Sequence, residues 1–217
     1  MSVSDNVIEF RPSADFTVAD DGVRDVALVF LGASLVVGVG DPKGQGWVTR
    51  VVGRTQHPDL ALTAYNLGLR GDTSAGALAR WQTEVPLRWQ GRTERRLVIS
   101  VGGNDVATGV SLARHRLNLA NILDDAASTG VATFVVSPQP TDDQTINDKL
   151  GVLVEAQADV CASRSVPFVD CYSPLLGHDQ WQSDLAASAV PHHPGQAGYG
   201  LIAWLVLHNG WNEWLGL

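Results

Sequence analysis

The chain has 217 residues, 45% of them hydrophobic, enough to bury one continuous α/β core, and no break in composition marks a second domain. Its 15 basic and 23 acidic residues leave a formal charge of -8, which repels a phosphate backbone and an anionic lipid surface and argues against nucleic acid as a partner. No stretch of roughly 18 uncharged apolar residues predicts membrane insertion, and no recognisable leader opens the chain, so the expected location is the cytoplasm. The two cysteines, Cys161 and Cys171, cannot make a disulfide framework and read as small buried hydrophobes.

Residues 1–24 are polar and irregular, with turn signals at Pro12 and Asp20-Asp21-Gly22, and are expected to form an extension to one domain over 25–217. Apolar runs then follow at Val26–Leu31, Leu60–Tyr65, Leu97–Val101, Ala132–Val136 and Val166–Val169. They are short, rich in β-branched residues and not strictly alternating, the pattern of strands buried on both faces of a parallel sheet. Helical character is expected over 47–55, 74–89, 111–128, 145–164 and 195–207. The third of these is the clearest, because Leu112, Leu119, Ile122 and Leu123 share one stripe while Arg114, Arg116, Asp124 and Asp125 lie mostly off it. Trp211 and Trp214, after the last helix, suit core packing first, with a dimer contact or a pocket rim as the alternative.

Repeated alternation of strand and helix predicts right-handed βαβ units and a three-layer α/β/α domain. In such a sheet the loops leaving the C-terminal strand ends share one edge, where ligands bind. Ser34, Gly71, Asn104 and Gln139 each follow a predicted strand and are expected along that edge.

Four motifs supply the parts of an acyl-transfer site. Ser34, in Gly32-Ala33-Ser34-Leu35, can present a hydroxyl where the chain turns out of the sheet, beside free backbone N–H groups. Gly71, in Asn66-x-Gly68-x-x-Gly71-Asp72-Thr73, lets a backbone N–H approach a ligand closely. Asn104, in Gly102-Gly103-Asn104-Asp105, brings an amide donor for a developing oxyanion. His193, before Pro194 and ahead of Gly198-Tyr199, can be a rigid general base, although His192 beside it competes for the role. A metal reading through His178, Asp179, His192 and His193 matches no ligand spacing. A nucleotide reading through Gly38, Gly40, Gly44 and Gly46 lacks the Gly-Lys-Ser/Thr ending, and Lys43 stands where the dinucleotide pattern needs its third glycine. Neither cofactor nor metal is expected.

The order and wording of these motifs resemble the SGNH, or GDSL, hydrolases, over about residues 26–207. The resemblance implies a flavodoxin-like sandwich with a five-stranded parallel sheet in the order 2-1-3-4-5. It implies Ser34 as nucleophile, His193, in place of His192, as its base, and an oxyanion hole of the Ser34 and Gly71 N–H groups with the Asn104 side chain. Two positions depart from the family pattern: Ala33 replaces the usual aspartate before the serine, and Val190 replaces the aspartate three residues before the histidine. Asp184, the nearest acidic residue upstream, is the first choice for the missing acid, with a backbone carbonyl as the alternative. The expected activity is hydrolysis of a small carboxylic ester, acetyl or another short acyl, through an acyl-serine. The competing expectation is a catalytically silent protein that binds a ligand or partner through the same cleft.

Overall fold

The computed structural model describes residues 22–217, so the extension expected over 1–24 lies outside the described residues save its last three. Strands β1 (Arg24–Gly32), β2 (Leu60–Gly68), β3 (Glu94–Ser100), β4 (Ala132–Val136) and β5 (Phe168–Val169) are all parallel, in the order β2-β1-β3-β4-β5. The helices are α1 (Ser34–Val37), α2 (Gly46–Arg54), α3 (Ser74–Glu84), α4 (Gly103–Thr108), α5 (Leu112–Ser128), α6 (Gln144–Ala162), α7 (Asp179–Ala187), α8 (Gln196–His208) and α9 (Trp211–Leu215).

Side chains alternate across the pleat, so β1 feeds both layers. Leu28 and Phe30 point to one face, where they join Trp47 and Val51 of α2, Tyr199 and Ile202 of α8, and Trp211 of α9. Ala27, Val29 and Leu31 point to the other, against Trp81 of α3, Leu119 and Ile122 of α5, and Val160 of α6. Burial on both faces explains why these strands read as continuous apolar runs. The result is the three-layer α/β/α fold expected from the sequence.

Trp211 is fully buried, stacked on Phe30 with ring centroids 6.1 Å apart and edge-on to Phe134 at 5.4 Å. Trp214 is buried against the same Phe134, so both C-terminal tryptophans are core residues. Cys161 and Cys171 are buried free thiols; burial pushes Cys161 up to about 12 and Cys171 further still. Among the described residues no helix is long and apolar enough to cross a membrane.

Some boundaries differ from those expected. The helix expected to run to about residue 89 stops at Glu84, since Pro86 has no N–H to continue the ladder, and a 3-10 turn over Pro86–Arg88 follows. Helices α1, α4, α7 and α9 were not expected from periodicity. They are short, and tertiary packing holds them: α7 buries Trp181 and Leu185, and α9 buries Trp211, Trp214 and Leu215.

Candidate active site

At the C-terminal end of β1 the chain turns sharply into α1, with Ser34 as the first helical residue. Ala33 occupies the N-cap and makes no side-chain capping bond, so the support that an aspartate there would give is absent. Other contacts hold the turn. Asn66, at the end of β2, donates to Val36 O at 2.7 Å and accepts from Gly68 N at 2.9 Å. Beyond the turn, Tyr199 of α8 donates its hydroxyl to Val39 O at 2.6 Å. Asp41 accepts from the N–H groups of Lys43, Gln45 and Gly46 and from Arg50. Of the glycines in the nucleotide reading, Gly38, Gly40 and Gly46 serve packing instead, while a Cβ on Gly44 would meet nothing within 4 Å. A Cβ on Gly38 would lie 2.8 Å from Gly46 Cα, and one on Gly40 would lie 2.8 Å from Pro194 O and 3.2 Å from His193 Cβ.

The oxyanion candidates follow the C-terminal ends of β1, β2 and β3, and Ser34 and Asn104 line one cavity that Gly71 does not border. Ser34 and Gly71 donate their N–H groups to no other described residue, and Gly71 has a φ of +79° that suits glycine. Asn104, in the first turn of α4, donates one amide hydrogen to Asp72 O at 2.8 Å and lines the cavity beside Ser34. An amide carries two such donors, so one remains free for a ligand.

Beneath them sits a buried polar network that the motifs did not announce. Asp105 accepts from Ser74 N at 2.8 Å, from the Ser74 hydroxyl, and from His115 Nδ1 at 3.0 Å. Asn118 donates to Ser74 Oγ at 3.0 Å, and Gln157 links His115 to Val101 O. Hydrogen bonds from Ser74 and His115 hold the Asp105 carboxyl below the usual range despite its burial. The Gly71 loop and the Asn104 helix are thereby tied to one carboxylate.

His193 comes to Ser34 from the far end of the chain, with Nε2 2.8 Å from Ser34 Oγ. Its Nδ1–H donates to Pro191 O at 2.7 Å, which leaves Nε2 as the acceptor for the serine hydroxyl. Burial lowers the imidazole below its ordinary value, and the charges of Arg70 and His192 act in the same direction. A neutral imidazole is the form that can take a proton.

Asp184 is not the partner of that imidazole. Its Oδ2 accepts from Gly198 N at 2.7 Å, in the first turn of α8. The unsatisfied N–H groups and the positive end of a helix draw a carboxylate to that place. The atom that meets His193 Nδ1 is a main-chain oxygen, that of Pro191, the kind of partner expected as the alternative to Asp184. His192 turns away and bonds Asp142, while His178 caps α7 through Trp181 N. Among the described residues no group of three or more His, Cys, Asp or Glu side chains stands ready to hold a metal.

Ser34, Asn104 and His193 line a cavity of about 160 Å³, which Gln139 also borders, as its place after β4 led us to expect. Its walls are largely apolar, with Val101, Ala107, Pro138, Pro140, Ile146 and Leu150. The α6 contribution was missed, because Ile146 and Leu150 look like ordinary core positions of an amphipathic helix.

The chain matches the GDSL-like Lipase/Acylhydrolase family over residues 30–201. It is 30% identical over 112 residues to Esterase TesA of Pseudomonas aeruginosa, an alignment covering 52% of this chain and about half, 54%, of that relative. Its fold is similar to that of an acetylxylan esterase from Geobacillus stearothermophilus, with a TM-score of 0.73 and 21% identity over 89% of this chain and 97% of the other. A lipase/acylhydrolase from Enterococcus faecalis is also similar, with a TM-score of 0.66 and 23% identity over 88% of this chain and 97% of that one. With the family's four motifs at one sheet edge and its profile spanning most of the residues, this chain belongs to the GDSL-like lipase/acylhydrolase family.

Proposed function

We propose that the protein is a serine esterase that hydrolyses small carboxylic esters through an acyl-serine intermediate. The observation that carries this reading is the 2.8 Å contact between Ser34 Oγ and His193 Nε2 in a cavity that Asn104 also lines, and the unclaimed donors at Ser34, Gly71 and Asn104 support it. Ser34 Oγ bonds to the ester carbonyl carbon as its proton passes to His193 Nε2. Negative charge collects on the former carbonyl oxygen, facing the Ser34 and Gly71 N–H groups and the free Asn104 hydrogen. Collapse breaks the bond to the alcohol oxygen, which leaves with the proton from His193. Water then attacks the acyl-serine, gives its proton to His193, and releases the acid as the proton returns to Ser34. Throughout, Pro191 O accepts from Nδ1–H and stabilises the imidazolium as it forms.

Family membership and relatives named as esterases support this reading. The apolar cavity of about 160 Å³ is close to the size of one that takes benzene, so it suits an acyl group of up to about six carbons. Hydrolysis of p-nitrophenyl acetate, butyrate and longer esters, beside Ser34→Ala and His193→Ala, tests it. Each variant should lose at least about 10³-fold in kcat. Because His193 acts as the neutral base and burial lowers its pKa, kcat/KM should rise through a pKa below the ordinary histidine value and level off above it. Turnover indifferent to Ser34, or a rise centred above about 6.5, would overturn the assignment.

A further inference from the structure

The turn that carries the base holds one of its residues, His192, in a conformation that a side chain disfavours. His193 N donates to Val190 O at 3.2 Å, closing a four-residue turn with Pro191 second and His192 third. His192 has a φ of +60°. Proline second and a positive φ third mark a type II turn, which differs from type I by reversal of the central peptide. Here the central carbonyl is that of Pro191, the group that accepts His193 Nδ1–H at 2.7 Å. A residue with a Cβ is disfavoured in the left-handed region, so histidine at 192 pulls toward the turn in which that carbonyl points away.

A contact from another element opposes that pull. His192 Nδ1–H donates to Asp142 Oδ1 at 2.5 Å, and the bond holds the Asp142 carboxyl below the usual range. Asp142 is itself anchored, for the next residue, Asp143, caps α6 through Thr145 N and Ile146 N.

We propose that Asp142 is a positioning residue: by holding His192 in its left-handed conformation it aims the Pro191 carbonyl at His193, and so replaces at one remove the carboxylate absent at Val190. The proposal rests on the esterase reading of Ser34 and His193. Both partners are about half exposed, 51% for His192 and 54% for Asp142, so the clasp is modest and sensitive to salt. The other charged groups acting on His193 are Arg70 and His192 itself, and both oppose its protonation.

The test is an NMR titration of the His193 imidazole together with kcat and KM on p-nitrophenyl butyrate. It compares the unaltered protein, Asp142→Ala, His192→Gly and the double variant. Asp142→Ala should lower the His193 pKa and reduce kcat about three- to fivefold with KM unchanged, the size of effect an exposed pair supplies. Adding His192→Gly should restore both, because glycine enters the left-handed region without help. Salt at about 1 M should reproduce the Asp142→Ala behaviour in the unaltered protein and leave the double variant unmoved. An Asp142→Ala protein that titrates and turns over as before overturns the proposal. So does a kcat loss that His192→Gly fails to restore; kcat is the deciding readout, because removing the His192 charge by itself raises the His193 pKa, an effect the single His192→Gly protein reads separately. The titration reads the clasp even without turnover, whereas an unaltered protein that hydrolyses no ester but titrates as expected sinks the esterase reading alone.

Discussion

Asn104 commits one amide hydrogen to Asp72 O and keeps the second for the cavity, so its removal should act on the transition state more than on the fold. Asn104→Ala is expected to lower kcat by about 10²–10³-fold with little change in KM, in steady-state assays. A loss below tenfold would remove Asn104 from the mechanism. Asp184 leads to the opposite expectation. It bonds Gly198 N and not His193, and asparagine can still accept from that N–H. Asp184→Asn should therefore keep kcat within about threefold, against the roughly 10⁴-fold loss that follows neutralisation of an orienting acid. Ser34, Gly71, Asn104 and His193 could be singled out as candidates from the sequence because each proposed role belongs to one residue type in one local motif. A backbone carbonyl was the alternative partner offered for the imidazole, but which one was not legible, because a carbonyl is present at every position and only the backbone conformation decides which one points at Nδ1.

Between elements, the close approach of the nucleophile turn and the base segment depends on Gly40. Its φ of +93° and the 2.8 Å that would separate a Cβ from Pro194 O leave no room for a side chain. Gly40→Ala should displace His193 from Ser34 and cost up to about 10²-fold in kcat, the penalty of an ångström-scale misplacement. Gly53→Ala, in α2 with nothing within 4 Å of the new Cβ, is the matched control and should leave kcat unchanged. If both substitutions are silent, the approach at Gly40 does not govern catalysis. Strands and long helices could be placed from apolar patterning, because a strand buried on both faces and a striped helix leave a signature over many residues. The short helices α4 and α7 leave none, and α4 carries Asn104 on only six residues, Gly103–Thr108. Its position is set by the Asp105 network, whose partners Ser74, His115 and Asn118 come from two other helices.

Across the whole molecule, the layer formed by α2, α8 and α9 is organised around aromatic contacts that reach from one end of the described chain to the other. Trp211 packs on Phe30 and Phe134 and donates its Nε1–H to Thr55 Oγ1 at 2.8 Å. Trp211→Ala should destabilise the fold by about 3–5 kcal/mol. Thermal unfolding would register this as a fall in Tm of roughly 6–20 °C at this chain length. A fall under about 2 °C would show that α9 is dispensable to the core. Chain order and residue type were sufficient to determine a parallel sheet, its flanking helices and a shared edge carrying Ser34, Gly71 and Asn104, since strand periodicity and βαβ handedness are local rules. What only the tertiary structure decided is how residues far apart in the chain meet. His193 reaches Ser34 across 159 positions, Asp142 reaches His192 across 50, and Asp184 binds a helix terminus instead of the base. Such pairings follow from packing the two layers against one sheet, and no local pattern in the chain encodes the distance between them.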